Sequence, residues 1–320
     1  MKKSDTFTRL AVRVMLILAA AGVIIPALPA DIIKSQNYTL NIMPVAEDID
    51  YAWGFDFLPD GQILLTQKNG RMFRIDTKTG SKTDIREVPF VAYRSQGGLL
   101  DVLVHPDFAR NRVIFITYSE PVTEDSAQTA VMRAVLDRDR LTEKKCKTDG
   151  RALPEIYSYG HRNPQGMTVH PQTGEIWSAE HGAMGGDEIN IIRAGVNYGW
   201  PVISYGLNYN GTKIGEGTEK TGIAQPLYYW DPSVAPSGMT FYSGRLFPEW
   251  KGNLLAGSLK FGLIIRLITD NGKISGEERL SLSQYGRIRD VKEAPDGSVM
   301  FITDQPDSAL YRITPAKEKN

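Results

Sequence analysis

The sequence is poor in the residues that form covalent cross-links and metal centres. Cys146 is the only cysteine among 320 residues, and there are four histidines. A single cysteine excludes an internal disulfide and a metal site built from several cysteines. No charge of one sign dominates either, since 37 lysines and arginines balance 37 aspartates and glutamates. This balance disfavours nucleic acid or an anionic membrane as a partner, because both attract strongly basic surfaces.

The chain also lacks a long amphipathic helix with capping signals. Short β-rich runs recur instead, each with a turn signal such as Pro-Asp-Gly. There are five of them: Phe57–Asp76, Val104–Glu120, Val169–Ile192, Phe241–Ile268 and Glu293–Thr314. Repetition of one strand–turn–strand–loop unit predicts an all-β fold, a β-propeller of four-stranded blades. An irregular β-sandwich is the alternative, although sandwiches do not usually repeat the same turn with the same downstream loop.

The N-terminal 30 residues differ from the rest of the chain. Four cations precede the apolar run Val14–Ile25, and small residues follow it up to Ala30. This is the pattern of a secretory signal peptide. An uncleaved membrane anchor is the alternative, but the run is short for a membrane span. We therefore predict a signal peptide at 1–30, one propeller domain at 31–316 and a polar tail at 317–320, with no membrane span after cleavage. The mature protein would be periplasmic or secreted.

Four cations lie in three loop motifs, one before the third repeat, one inside the fourth and one before the fifth. They are Arg162 in "GHRNPQG", Lys260 in "GSLKFG", and Arg287 and Arg289 in "GRIRD". Loops of a propeller converge on the axis at one face, where ligands bind. Arginine suits planar carboxylates, so the set indicates a small polyanionic ligand. Each cation taken alone is more simply a solvated surface charge.

A glycine-rich acidic loop, "HGAMGGDE", lies within the third repeat. Asp187 and Glu188 follow glycines that let the backbone approach a cation closely, and calcium accepts both carboxylates and carbonyls. Hydrogen bonds from these two acids to a neighbouring loop explain the pattern equally well.

Several motifs resemble one family when they are taken in order. They are "QGGLLDVLVHPDF", "GHRNPQG", "DEINII", "NYGWP", "VAPSG", "SLK" and "RIRD". The chain resembles the soluble sugar dehydrogenases that depend on pyrroloquinoline quinone (PQQ), and most of all the periplasmic aldose sugar dehydrogenases. The resemblance covers almost the whole mature chain. It implies a six-bladed propeller, PQQ on the axial face, calcium, and oxidation of an aldose at its anomeric carbon to a lactone, with electrons passed to an acceptor.

The resemblance also assigns roles to individual residues. It implies contacts to PQQ from Arg162, Asn163, Ser233, Lys260, Arg287 and Arg289, and a sugar contact from Gln96. The backbone carbonyls of Gly182 and Ala183 would hold a catalytic calcium, and Asp187 and Glu188 a structural one. His105 and His161 match no catalytic position, and we expect packing or turn roles for them.

One part of the family pattern is absent. The family carries a histidine-centred loop that supplies the general base, and nothing like it lies between Cys146 and Ile156. We count five repeats where the family has six, so about one blade is expected to be missing. Two hypotheses follow: an exported PQQ-dependent sugar dehydrogenase, intact or with reduced activity, and a non-catalytic propeller that binds a ligand or a protein.

Overall fold

The computed structural model describes residues 31–146, 158–193, 195–270 and 272–316. Within these ranges the chain forms five antiparallel sheets and almost no helix. Each of the five repeats read from the sequence falls within one of these sheets. The prediction of an all-β propeller with four-stranded blades is therefore confirmed.

The blades follow one another along the chain, and we number them I to V. Blade I contains β3 (Ala52–Phe57), β4 (Ile63–Gln67), β5 (Met72–Ile75) and β6 (Lys82–Asp84). Blade II contains β7 (Leu99–Val104), β8 (Val113–Pro121), β9 (Ala127–Asp137) and β10 (Arg140–Cys146). Blade III contains β11 (Pro164–Val169), β12 (Ile176–Glu180), β13 (Asp187–Ile192) and β14 (Tyr228–Trp230). Blade IV contains β15 (Pro236–Phe241), β16 (Leu254–Ser258), β17 (Leu263–Asp270) and β18 (Lys273–Ser281).

Blade V joins the two ends of the described chain. It contains β19 (Ile288–Glu293), β20 (Val299–Thr303) and β21 (Ser308–Pro315), and then β2 (Thr39–Ile49) and β1 (Asp31–Lys34). β2 pairs antiparallel with β21 along almost its whole length. The outer strands of blade V therefore come from the N-terminal part of the described chain, and their pairing joins the first described strands to the last.

The Pro-Asp-Gly turns act as the sequence predicts. Gly61 and Gly297 both have positive φ, 81° and 88°. Their amides donate to the carbonyls of Leu58 and Ala294, at 2.9 and 2.8 Å. Only glycine adopts this conformation without steric cost, so the turn is fixed at the same point of blades I and V.

The hydrophobic core consists of four clusters, one for each pair of blades that pack face to face. Phe55 and Ile63 of blade I meet Met300 of blade V, for example, and Trp177 of blade III meets Ile265 of blade IV. Corresponding clusters join blades I and II and blades IV and V. Burial of each large apolar side chain contributes about 1.5–3 kcal/mol, so these four interfaces hold the blades together.

Blades II and III have no comparable interface among the described residues. β3 packs against β7 and β19, and β15 against β11 and β19, but β7 and β11 do not pack on each other in this way. Apolar side chains on these two strands stay exposed: Leu103 is 55% accessible, Met167 64% and Val169 58%. The expected missing loop between Cys146 and Ile156 falls largely in 147–157, outside the described residues.

Helical structure is confined to short turns in the described ranges. α1 spans Phe108–Asn111, and 3-10 turns span Pro248–Trp250 and Ser283–Tyr285. Across the residues that the structure describes, no helix has the length and apolar character that a membrane crossing needs. The predicted signal peptide at 1–30 and polar tail at 317–320 lie outside the described residues.

Candidate functional site

A cavity of about 590 Å³ lies where the innermost strands of the blades converge. Each innermost strand has an irregular register near its start, as between Ala52 and Phe55 in β3 and between Ile288 and Asp290 in β19. Such bulges bend a strand and turn its side chains toward a site. Gln96, Asn163 and Arg289, three of the residues predicted from the sequence, line this cavity. Its volume suits a small organic ligand.

Arg289 is the most unusual side chain of the cavity. It is buried, with 3% of its surface accessible. Its guanidinium lies over the ring of Trp53, 4.3 Å from the centroid, and donates from Nη2 to Oε1 of Gln165 at 2.7 Å. Its Nε–H has no hydrogen-bond partner in the described part of the chain. A buried donor without a partner is costly, and an anionic ligand in the cavity would provide one.

Arg287, a predicted cation, and Lys68, a cation that the sequence analysis missed, lie near Arg289, although neither they nor Lys260 line the cavity itself. Arg287 donates to the carbonyl of Leu259, next to Lys260, at 3.2 Å. Burial and the charges of Arg289 and Arg287 lower the pKa of Lys68, against the attraction of Asp304. Lys68 follows the second strand of its blade, as Lys260 does, so an alignment of the repeats could have found it.

This group of cations fits PQQ, which is a planar tricarboxylate. Burial lowers the pKa of Lys68, and the positive charges of Arg289 and Arg287 contribute further, so the three cations lie close enough to act on one another. Arg289 presents an unpaired donor in the same region. Arginine and lysine at such a point favour an anion with several carboxylates.

Arg162 lies in a smaller neighbouring pocket and does not line the main cavity. Its guanidinium lies 5.3 Å from the ring centroid of Trp200 and donates to the carbonyl of His181 at 3.2 Å. His161 bonds Glu180 Oε1 through Nδ1 at 3.0 Å and stacks on Tyr198. The predicted packing role of His161 agrees with these contacts. Of the sequence cluster His161-Arg162-Asn163, Arg162 therefore lines the smaller pocket, Asn163 the main cavity, and His161 neither.

Asp187 connects three segments of the chain. Its Oδ1 accepts the amide of Gly182 at 2.9 Å. Its Oδ2 accepts the Ser233 hydroxyl at 2.7 Å and the amides of Val234 and Ala235, both at 2.8 Å. Of the two explanations that the sequence left open for Asp187, hydrogen bonding to a neighbouring loop is the one seen. The hydroxyl of Ser233, which was expected to contact the cofactor, is also engaged in this network, because it donates to Asp187.

Glu188 fits a cation better than Asp187 does. Burial raises the pKa of Glu188 to about 7, with a further contribution from the charge of Glu180. Gly182 and Gly186 line the same small pocket, and neither has room for a Cβ. A partly buried carboxylate beside close-packed glycine backbone offers oxygen ligands of the kind that calcium binds. No cluster of three or more metal-binding side chains occurs in the described residues, so backbone carbonyls such as those of Gly182 and Ala183 would have to complete the set.

Calcium should distinguish these two neighbouring acids. We expect calcium to raise the melting temperature, because a ligand bound only by the folded state stabilises it, by about 2.7 kcal/mol at 100 times Kd. Glu188→Gln should remove this response. Asp187→Asn should destabilise the protein with or without calcium, because an amide NH₂ would face buried N–H donors. Melting curves with calcium and with excess chelator measure both effects. A parent protein insensitive to chelator would exclude the calcium site.

Acidic groups and one lysine form part of the cavity wall. Asp290 and Lys292 line the cavity, and Oδ2 of Asp290 lies 3.8 Å from Nζ of Lys292. Burial raises the pKa of Asp290 to about 7, against the attraction of Lys292. Burial alone would lower the pKa of Lys292, but the charges of Asp290, Asp101 and Asp56 outweigh it and raise that pKa. Sequence reasoning missed this cluster because its members come from three different blades.

The raised pKa of Asp290 makes stability depend on pH. Its usual value is 3.8, so between about pH 4 and 7 the folded state holds a proton that the unfolded chain releases. The contribution of Asp290 to stability is therefore present at low pH and is lost as pH rises through 7. We therefore expect the free energy of unfolding of Asp290→Asn to rise relative to that of the parent protein as pH increases over this range, by at most about 1.4 kcal/mol per pH unit. Urea unfolding of both proteins at pH 5 and pH 8 measures the gain. A difference that does not change with pH would contradict the prediction.

Comparison with known proteins gives a consistent result. A sequence model of the family described as Glucose / Sorbosone dehydrogenase matches residues 49–150 and 145–312. The Aldose sugar dehydrogenase YliI of Escherichia coli K12 is 33% identical over 346 residues, covering 87% of this chain and 93% of that protein.

Solved structures have the same architecture. The crystal structure of the soluble aldose sugar dehydrogenase from Escherichia coli, in its apo form, superposes with a TM-score of 0.81 at 31% identity, covering 87% of this chain and 100% of that one. The PQQ-bound aldose sugar dehydrogenase from Streptomyces coelicolor superposes with a TM-score of 0.69 at 21% identity, covering 86% of this chain and 98% of that one. At that identity the second likeness shows the fold alone.

Proposed function

Because this chain belongs to the glucose/sorbosone dehydrogenase family, we propose that it is a PQQ-dependent enzyme that oxidises an aldose at its anomeric carbon to a lactone. The observation that carries the proposal is Arg289, buried at the cavity wall with an unpaired Nε–H. Neither a surface charge nor a structural ion pair explains a donor in that position.

Individual residues would divide the binding between them. Arg289, with Arg287, Lys260 and Lys68 nearby, would hold the carboxylates and quinone oxygens of PQQ. Trp53 lies under the Arg289 guanidinium and keeps it in place. Gln96 and Asn163 line the same cavity, where Gln96 would contact the sugar. When bound, PQQ would supply the two-electron acceptor for hydride, and the protein would supply position and electrostatic field.

Calcium forms a second part of the proposal. A cation at Glu188 would stabilise a carboxylate that burial otherwise disfavours. Asp187 would orient this loop indirectly, through its four hydrogen bonds to the Gly182 and Ser233 segments. Arg162 lines the same pocket as Glu188, so one positive charge already lies near the proposed calcium site.

We further propose that this chain lacks one blade of a six-bladed family pattern and that its activity is reduced. Three observations support this. The family model matches in two parts that meet at residues 145–150. The alignment with the Escherichia coli protein runs over 346 residues, more than the 320 of this chain. The gap between β7 and β11 lies at the same point of the chain.

A non-catalytic propeller that binds a ligand or a protein is the second candidate function. Two observations favour it: no histidine lines the cavity, and the described residues of blades II and III share no interface like those between the other blades. The two functions differ in one result. Both allow PQQ to bind, but only the enzyme reduces a dye when an aldose is added.

Export is proposed from the N-terminal pattern alone. Cleavage after Ala30 would release a periplasmic or secreted protein, which would act on a sugar and pass electrons to an acceptor outside the cytoplasm. N-terminal sequencing of the mature protein tests this, and a chain that keeps residues 1–30 would contradict it.

PQQ titration followed by quinone absorbance tests the proposed function. Saturable binding, then dye reduction with an aldose, would support it. The absence of any binding would contradict both the proposed enzymatic function and the assignment of PQQ as the cofactor.

A further inference from the structure

We propose that Asp101 is the proton acceptor for the anomeric hydroxyl group of the sugar. This inference rests on the proposed sugar dehydrogenase function and assigns the base that the chain otherwise lacks. Asp101 lies on β7 and lines the main cavity together with Gln96, Asn163 and Arg289. It would be a catalytic residue in direct contact with substrate.

The four histidines are all engaged elsewhere, and none lines the cavity. His105 accepts the amide of Asp107 through Nδ1 at 2.9 Å, and His170 accepts that of Thr173 at 3.2 Å. His161 is paired with Glu180. Each of these three therefore serves a turn or a packing contact.

His181 is the histidine nearest to the calcium loop and so the first to consider as a substitute base. Its Nε2 lies 2.7 Å from the carbonyl of Pro236, which only an N–H can approach so closely. Nδ1 faces the amide of Asn163 at 3.4 Å. Both ring nitrogens of His181 are therefore engaged within the protein.

Asp101 has a free oxygen in the cavity. Its Oδ1 accepts the amide of Val102 at 2.9 Å. Its Oδ2 accepts no hydrogen bond from the part of the chain that the structure describes. The residue is exposed to the cavity, unlike Asp290, which is 5% accessible. A carboxylate oxygen that is accessible and unpaired can receive a proton from a bound hydroxyl group.

The position of Asp101 is fixed from two sides. Its backbone amide donates to Oγ1 of Thr117 on the next strand at 2.9 Å. On the other side, a Cβ on Gly54 of blade I would overlap Oδ1 of Asp101. Gly54 does not have positive φ, so a glycine is needed here to leave room for Asp101 and not to allow an unusual backbone conformation. Gly54 and Thr117 together form a niche for this carboxylate.

The charges around the niche are mixed. Lys292 and Arg289 supply positive charge toward Asp101, and Asp56 supplies negative charge, to which Asp290 adds once it is ionised. An ionised carboxylate in a partly closed cavity is costly when no opposite charge is near, and these two cations reduce that cost for Asp101.

The reaction balances with this base. The anomeric O–H bond breaks and its proton goes to Oδ2 of Asp101. The electron pair of the C1–H bond would leave as hydride, and PQQ, when bound, would supply the quinone that accepts it. The C1–O bond becomes the C=O bond of the lactone, so the sugar loses two electrons and two hydrogens, and the quinone is the oxidant.

Substitutions at Asp101 test the assignment in the full chain loaded with PQQ and calcium. Asp101→Asn keeps the size of the side chain and removes its basicity. We expect turnover to fall about 10²–10⁴-fold, the usual contribution of a positioned base, with PQQ affinity unchanged by absorbance titration. Asp101→Ala should behave alike, and added formate should restore part of its turnover. Gly54→Ala should lower turnover by displacing the carboxylate. Asp125→Asn, on an exposed loop, is the matched control.

The outcomes separate this inference from the proposed function. If the parent protein binds no PQQ, the proposed function fails and this inference fails with it. If the parent binds PQQ and turns over sugar but Asp101→Asn does so equally well, Asp101 is not the base and the proposed function stands. If Asp101→Asn and Asp101→Ala both lose turnover but formate restores none in Asp101→Ala, the role of Asp101 is structural and the assignment is overturned. A parent that binds PQQ without any turnover also contradicts it.

Discussion

Replacing Arg289 and Arg287 by alanine should weaken PQQ binding about 10²–10⁴-fold. Each charge-assisted contact is worth about 1.5–3 kcal/mol, and 1.4 kcal/mol corresponds to a factor of ten. Arg289→Ala alone should cause the larger part, because Arg289 is buried with an unpaired Nε–H, whereas Arg287 already faces Asp304 at 3.5 Å. Quinone absorbance or calorimetric titration measures the effect.

Two further variants make this experiment specific. Arg289→Lys keeps the charge and loses the planar fork, so we expect an intermediate loss. Arg71→Ala removes an exposed arginine of blade I that pairs with Asp84 at 2.8 Å, and it should bind PQQ like the parent. Melting curves show whether each variant is folded. A double alanine variant that is folded and binds PQQ with parental affinity would show that the assignment of these cations is wrong.

Turnover of the protein loaded with PQQ and calcium should be about 10–10³-fold lower than that of the Escherichia coli aldose sugar dehydrogenase. Complete loss of a positioned base costs about 10²–10⁴-fold, and a carboxylate at Asp101 would recover part of it. The proposed loss of a blade next to blades II and III would lower turnover further, because a displacement of about 1 Å in a site can cost about 10²-fold.

Dye reduction across several aldoses measures this difference, with both enzymes loaded in the same way. PQQ occupancy must be measured on the same samples, so that slow chemistry is not confused with poor loading. Turnover equal to that of the Escherichia coli enzyme would contradict the proposal that a missing blade reduces the activity.

The repeats allowed much of the fold to be predicted. Pro-Asp-Gly turns mark local backbone conformations, so five repeats led directly to five blades. The closure of blade V could not be read in this way. β2 and β21 lie at opposite ends of the sequence, and their pairing depends on which apolar faces meet in the ring.

The site was predicted less completely than the fold. Motifs identified Arg289, Asn163 and Gln96, which lie together in the cavity. They did not separate Arg162 from this group, because sequence neighbours at the start of β11 face two different pockets. Asp101 was missed because a single aspartate within an apolar strand has no signature, and its niche is made by Gly54 and Thr117 from other strands.

A crystal structure of the protein soaked with PQQ tests the central claim most directly. We predict one PQQ molecule in the cavity, with carboxylate or quinone oxygens within hydrogen-bond distance of Arg289 Nε, and with Gln96, Asn163 and Asp101 facing the space left for the sugar. A cavity that stays empty at saturating PQQ, or PQQ bound away from Arg289, would contradict the account.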